Sequence, residues 1–399
     1  MKKIILLFAL FTFVTYQANS EPVLTGEAMF DYAHLSKTQI SDEDDLIRSR
    51  PSVMANFSRS LGQGKERLSP FSIEGSFYGY ANFKEGETGK SEFRKLILNY
   101  KGDHNVFNLG MQSISWSETF GVNIMDVVNP RDYSFYVFDD LNMSKIPVSI
   151  INYQYFYNDF SFQLIYNPEA KFDRLPGHGS LFDPYAKYNL PLEQTPSPKA
   201  FSDSEFGGRV RYLFSGGLDL GFIYYSHFNR NPAIYLDPAL NKLHSHFEKV
   251  NSFGETFSLV VGELVLRGDY LYTPDTPYAT NDLSFRYSDR HQAILGGDYS
   301  TANGFSFGVQ LHMDTLFDHQ WISAQLKNSF MGETFRPSLM IFSGLDNQDL
   351  WARAEFSYFY TSSFQIAPQY NYLAGKSGEG IFGEFTDKDY YQLMVKYLF

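Results

Sequence analysis

Hydrophobic and polar positions alternate with a period of two along most of this chain. In its last strand, Tyr391, Leu393, Val395, Tyr397 and Phe399 share one face, and Gln392, Met394, Lys396 and Leu398 share the other. Such alternation predicts a strand with two chemically different faces. The same pattern marks 24–34, 52–61, 70–84, 91–101, 104–115, 147–157, 159–167, 205–215 and 217–228. It continues at 252–262, 264–272, 290–300, 303–314, 318–328, 334–344, 349–360, 363–373 and 388–399. The series predicts about eighteen strands, or about sixteen if the first two are a loose N-terminal segment. Tight links at Gly102-Asp103, Asn158, Gly216, Glu263 and Thr301-Ala302 suit hairpin turns. They alternate with long polar connections at 116–146, 168–204, 229–251, 273–289 and 374–387.

The chain opens with Lys2-Lys3, an apolar run from Ile4 to Val14 and small residues at Ala18-Asn19-Ser20. Residues 1–20 therefore read as a cleaved signal peptide, and 21–399 as a single domain. No other segment approaches the length of a membrane-spanning helix. Strands that cross a bilayer must close on themselves, because unpaired backbone groups are too costly in hydrocarbon. The expected fold is all-β: a transmembrane antiparallel β-barrel in a Gram-negative outer membrane, with short periplasmic turns and long outer loops.

Composition separates this reading from a secreted sandwich or solenoid. Aromatics make up 18% of the chain, with 29 Tyr and 39 Phe, while mean hydropathy is slightly negative. A soluble core would draw on Leu, Ile and Val; aromatic girdles over a polar interior need Tyr and Phe. The chain has no Cys, which suits an oxidising periplasm. Its formal charge of -12 becomes -14 once Lys2 and Lys3 are removed, which argues against nucleic acid as a partner.

The pleat assigns the charged wall residues. With Val210, Tyr212 and Phe214 to lipid, Arg209 and Arg211 point inward, and the same parity turns Arg267, Asp269, Arg353 and Glu355 inward. Arg336, Lys327 and Lys396 join them, alongside Glu27, Glu74, Asp219 and Asp298. Connection 116–146 is the third outer loop in the eighteen-strand reading. Its Glu118, Asp126, Arg131, Asp132, Asp139, Asp140 and Lys145 form a mostly acidic set, expected to face the inward arginines across a constriction rather than to lie solvated outside. The acidic total points to a mild cation preference. His244, His246 and Glu248 have spacing that could ligate a metal, but no further ligand is evident, so no metal or other cofactor is expected. Ser180 in Pro176-Gly-His178-Gly-Ser180 lacks the strand–turn–helix setting of a nucleophile.

Two resemblances add to this. The aromatic-terminated last strand resembles the closing strand of bacterial outer-membrane barrels, which implies that Tyr391, Leu393, Val395, Tyr397 and Phe399 form the signal read by the barrel-assembly machinery. The segment Gly110-Met-Gln112-Ser-Ile-Ser-Trp116-Ser-Glu118, with Asp126-Val-Val-Asn129-Pro130-Arg131-Asp132, resembles a family of uncharacterised Gram-negative outer-membrane barrels, except that Ser117 stands where Gly is usual. That resemblance implies a porin-like barrel, with Gln112 lining the pore and Trp116, Glu118 and Asn129 shaping the start of the loop. The leading expectation is passive diffusion of small hydrophilic solutes. The alternatives are an outer-membrane lipase- or protease-like enzyme and a structural or adhesive surface barrel. Outer-membrane lipid and lipopolysaccharide are expected partners, and the oligomeric state stays open between monomer and trimer.

Overall fold

The computed structural model describes residues 23–399 except 37–45, 62–69, 84–88, 135–140, 178–179, 189, 194–197, 281, 317–318 and 377–379. The signal segment, the acidic run at 41–45, Asp139, Asp140 and His178 lie outside the described residues.

The barrel begins with β1 (Val23–Leu35), β2 (Leu46–Leu61), β3 (Phe71–Tyr80), β4 (Lys90–Lys101) and β5 (Asn105–Gln112). After the short helix α1 (Leu141–Ser144) come β6 (Val148–Tyr157) and β7 (Phe160–Asn167). Strand β8 (Leu192–Glu193) lies in the next loop, followed by β9 (Glu205–Leu213) and β10 (Leu218–Phe228). A small hairpin, β11 (Ala233–Asp237) and β12 (Lys242–His246), precedes β13 (Lys249–Val261), β14 (Leu264–Ala279), β15 (Phe285–Ser300) and β16 (Ser306–Asp314). The wall ends with β17 (His319–Lys327), β18 (Phe335–Gly344), β19 (Leu350–Thr361), β20 (Phe364–Ala374) and β21 (Tyr390–Leu398).

All of these except β8, β11 and β12 form one 18-stranded antiparallel sheet. It closes where β1 pairs with β21, from Glu27 opposite Leu398 to Leu35 opposite Tyr390. The chain is a transmembrane β-barrel of eighteen strands. Both strands of the N-terminal hairpin belong to the wall, so the sixteen-strand count fails. The outer face is aromatic and aliphatic: Phe222, Val260, Leu295, Phe307, Tyr391 and Tyr397 are all exposed. Turns are tight where a left-handed residue closes them, as at Asn158 (φ 50°) and Gly217 (φ 80°).

One carboxylate departs from the polar-in rule. Glu255, midway along β13, is exposed on the outer face, opposite Phe222 on β10 and Tyr270 on β14.

Two loop expectations change. Connection 273–289 is mostly a continuation of β14 and β15, interrupted by a bulge between Thr273 and Thr276 where Asp275 has φ 48°. The bulge takes up Pro274, which has no N–H for the ladder, and pairing resumes at Thr276 opposite Ser288 and Pro277 opposite Tyr287. Connections 168–204 and 229–251 supply β8, β11 and β12, a three-stranded sheet outside the wall. Ile234 and Leu243 of that sheet pack with Leu283 of the β14–β15 turn.

The closing seam is held on both faces. Gly26 and Phe399 exchange backbone hydrogen bonds at 2.8 and 3.0 Å. A Cβ at Gly26 would come within 2.5 Å of the Phe399 ring and 2.6 Å of the Met54 carbonyl. Inside, Asp31 is buried against Arg48 (2.9 Å), Arg50 (3.3 Å) and the Gln392 amide (2.8 Å). We predict that Gly26→Val, which displaces Phe399 sterically, lowers the yield of heat-modifiable barrel in the outer membrane. Val395→Asp should do the same by placing a charge on the lipid face, at about 2 kcal/mol. Wild-type yields of both variants would contradict this account of the seam.

Candidate functional site: a loop anchored across the lumen

The loop between β5 and β6, residues 113–147 and here called L3, does not extend outward. Its neck is tied by Asn129, whose Oδ1 accepts from the Ile114 N–H (2.7 Å) and whose Nδ2 donates to the carbonyls of Gln112 (3.2 Å) and Ile146 (2.9 Å). Asp126 accepts from the Trp116 N–H (2.8 Å) and pairs with Lys145 (2.6 Å). With the limbs crosslinked, the apolar residues Trp116, Met125, Val127 and Val128 form one buried surface. It packs on Ile150 of β6, Ile165 of β7, Ile223 and Tyr225 of β10 and Leu271 of β14, all inward-facing. The wall is apolar inside where L3 covers it, the reverse of the rule for an open lumen.

Charged groups then hold the loop further along the wall. Glu118 lies 2.6 Å from Arg209 and 3.5 Å from Arg211, and its carbonyl accepts from Arg267 (3.1 Å). Asp269 accepts from the hydroxyl of Ser117, from Thr119 Oγ1 (2.9 Å) and from the Glu118 N–H (3.2 Å). Asp219 takes the other side of Arg211, and Asp298 pairs with Arg267 at 2.9 Å. Beyond the clamp, Phe120 reaches β16, where the Gln310 amide, turned to match, pairs with its backbone at 2.8 and 2.9 Å. Gly121 comes against Phe342 on β18. L3 therefore starts at the fifth wall strand and touches the far side of the barrel.

Charge pairing differs in detail from the expected opposition of aspartates and arginines. Glu118, not Asp126 or Asp132, meets Arg209 and Arg211. Asp126 is spent within L3 on Lys145 and, at 3.9 Å, Arg131. Asp132 faces Arg174 and Lys90 near the outer rim. Arg336 pairs with Glu333 in the β17–β18 turn at the opposite end of the barrel, and Arg353 donates to Asn371 beside Trp351. Arg336 thus stands away from the described part of L3.

Below L3 a cavity of about 540 Å³ opens between β4 and β9. Amides line its wall in a ladder: Asn152 donates to Gln112 (3.1 Å), Gln163 to Asn152 (3.0 Å), and the Trp116 indole N–H to Gln163 (2.8 Å). Gln112, expected at the pore, stands in this ladder. Asn152 and Gln163 went unremarked in the sequence, although strand parity turns them inward too.

A comparison with known families reaches this region. Residues 102–294 match the model of a family described as a protein of unknown function, DUF1302. The match bears out the resemblance to an uncharacterised porin-like barrel family. That span holds the whole of L3 and the wall residues Arg209, Arg211, Asp219, Arg267 and Asp269. No curated protein matches the chain. Similar solved structures include a mutant of the Rh. blastica porin, at 10% identity and TM-score 0.47, covering 95% of this chain and 100% of that one. Another is Salmonella typhi OmpF in complex with daunomycin, at 11% identity and TM-score 0.49, covering 95% and 97%.

Outside the clamp, the mouth is roofed. Phe182, from loop 168–204, packs with Phe382 and Phe385 from the β20–β21 loop on Trp351, Leu373 and Tyr390 of the inner wall. Arg230 staples the loops together: it donates to the carbonyls of Val127 (2.9 Å), Val128 (2.8 Å) and Lys171 (2.9 Å) and pairs with fully buried Glu205 at 2.7 Å. Two serine–histidine pairs, Ser252–His227 and Ser323–His312, are buried in the wall. Among the described residues neither ring meets a carboxylate through its other nitrogen: His227 Nδ1 contacts the Phe228 carbonyl, and His312 Nδ1 has no hydrogen-bond partner there.

The join between L3 and loop 168–204 holds a buried carboxyl. Asp173 accepts from the Arg131 N–H at 2.7 Å, and burial pushes its carboxyl up to about 7, against the pull of that N–H and of the Arg230 and Arg131 charges. A carboxyl whose pKa is raised on docking favours the docked state most at low pH, and that gain is lost as pH rises through about 7. Proteolysis within loop 168–204 should therefore be faster at pH 8 than at pH 5, and Asp173→Asn should flatten the difference. Equal pH dependence in the two proteins would refute this.

Proposed function

We propose that this barrel is an outer-membrane channel for passive diffusion of small hydrophilic solutes, with L3 as its constriction. In this reading residues 1–20 direct export, and the aromatic strand ending at Phe399 is recognised during assembly in a Gram-negative outer membrane. One observation carries the proposal: L3 is fixed by Glu118 and Asp269 to the inner wall and reaches β16 and β18. Eighteen strands enclose more space than their own side chains fill. A loop held inside then sets the bore, while a polar vestibule remains open beneath it. Hydrated solutes can exchange water for the amides of that vestibule, and an apolar solute of equal size cannot.

A second reading draws on the roof. Phe182 seated among Phe382, Phe385 and Trp351 covers part of the mouth, as a surface-binding barrel with a sealed lumen would need.

Planar-bilayer conductance separates the two. Purified protein should give discrete ohmic steps, and Glu118→Gln, which leaves Arg209 buried without its counter-charge, should loosen L3 by about 2–4 kcal/mol. Larger, noisier steps are the expected result. A wild-type barrel that inserts but never conducts would favour the sealed surface barrel.

A further inference from the structure

The vestibule under L3 presents charge of one sign. Arg94, Lys95, Arg209 and Arg211 all line it, and among the described residues no carboxylate does. Each cation has its acid set back from the cavity: Glu92 lies 3.0 Å from Arg94, Glu74 2.5 Å from Lys95 and Glu118 2.6 Å from Arg209, with Asp219 against Arg211. The cluster is formally neutral, but its dipoles point their positive ends at the space. Lys95 and Arg211 remain partly exposed, so their remaining donors are available to a solute. Facing them, the half-buried amides of Asn108, Gln154 and Gln163 offer donors and acceptors along a strip rather than at a point, backed by the buried Gln112 and Asn152. A volume near 540 Å³ falls within the range of roughly 300–1,000 Å³ typical of small-molecule sites.

We infer that this vestibule is a binding subsite for small hydroxylated carboxylates, in chemical class the sugar acids. The cations take the carboxylate by charge-assisted hydrogen bonds, and the amides of Asn108, Gln154 and Gln163 take the hydroxyls. The preferred charge is opposite in sign to the one suggested by the acidic total of the chain, because most of the acidic excess faces elsewhere. The inference rests on the channel reading only for how the solute arrives.

The test is calorimetric titration of the folded, detergent-solubilised full-length barrel with galacturonate, galactose and galactosamine. Galacturonate should bind about tenfold more tightly than galactose, the worth of one screened charge-assisted contact, and galactosamine most weakly. Replacing Lys95, which pairs with Glu74 and takes no part in holding L3, by Gln should lower the preference for galacturonate over galactose several-fold. If that variant does not fold, salt dependence of the wild type decides. Galacturonate affinity should fall with added salt while galactose affinity holds. Equal binding of all three sugars, or galacturonate binding indifferent to salt, overturns the subsite. Binding as described from a barrel that shows no conductance would sustain the subsite and reject the channel.

Discussion

A peptide group left unpaired in hydrocarbon costs several kcal/mol, and every strand of this wall carries a row of them. Pairing β1 with β21 removes the last two free edges, so the seam from Glu27–Leu398 to Leu35–Tyr390 is the constraint on which the rest depends. Closure also fixes parity. Once Val395 and Tyr397 face lipid, their neighbours Gln392 and Lys396 face inward, where Gln392 meets Asp31 and Lys396 meets Glu27 at 3.2 Å. The wall therefore imposes a polar interior, and a polar interior too wide to fill has to be shaped by something else.

L3 supplies that shape through two kinds of contact. Apolar packing around Trp116 and Met125 seats the loop, and the exchange between Glu118, Arg209, Arg211 and Asp269 fixes its direction along the wall. Burial alone would leave the loop free to slide, since apolar contact is not directional. The ion pairs are only partly exposed and include hydrogen bonds to backbone, so they specify register as well as adding attraction. The same clamp gives the vestibule its one-sided charge, because Glu118 is carried on L3 while its partners Arg209 and Arg211 line the space below.

Strand number and facing were legible in the sequence because period-two alternation survives at nearly every wall segment. The start of β2 was not legible at Leu46–Pro51, where a proline follows two closely spaced arginines, although Arg48 and Arg50 keep the period of two and both face inward to Asp31. The loops were legible only by rank and length. Nothing local separates Glu118 from Asp126 as the partner of Arg209; that choice is made by Asn129 and Lys145, which fold the loop back so that Asp126 is used internally. Arg336 was placed at the constriction because parity gives a face but not a height. Arg230 carried no signal, being one arginine in a polar loop. Glu255, facing outward in mid-strand, shows that parity applied by residue type alone is a rule with exceptions.

The central claim is that L3 lies inside the barrel with its tip against the far wall. The chain has no cysteine, so one engineered pair reports without background. Cysteines placed at Phe120 and Gly308, where a Cβ on Gly308 would stand 2.6 Å from Asp298 Oδ1 and 2.8 Å from the tip of the Phe120 ring, should be joined by a short bis-methanethiosulfonate crosslinker in folded, membrane-inserted protein. The bridge is read as a change in mobility and in proteolytic fragments that reducing agent reverses. Its formation at high yield is the predicted result. Two free thiols, with the one at position 120 labelled by a membrane-impermeant reagent on intact cells as readily as an outer-loop site, would contradict the account.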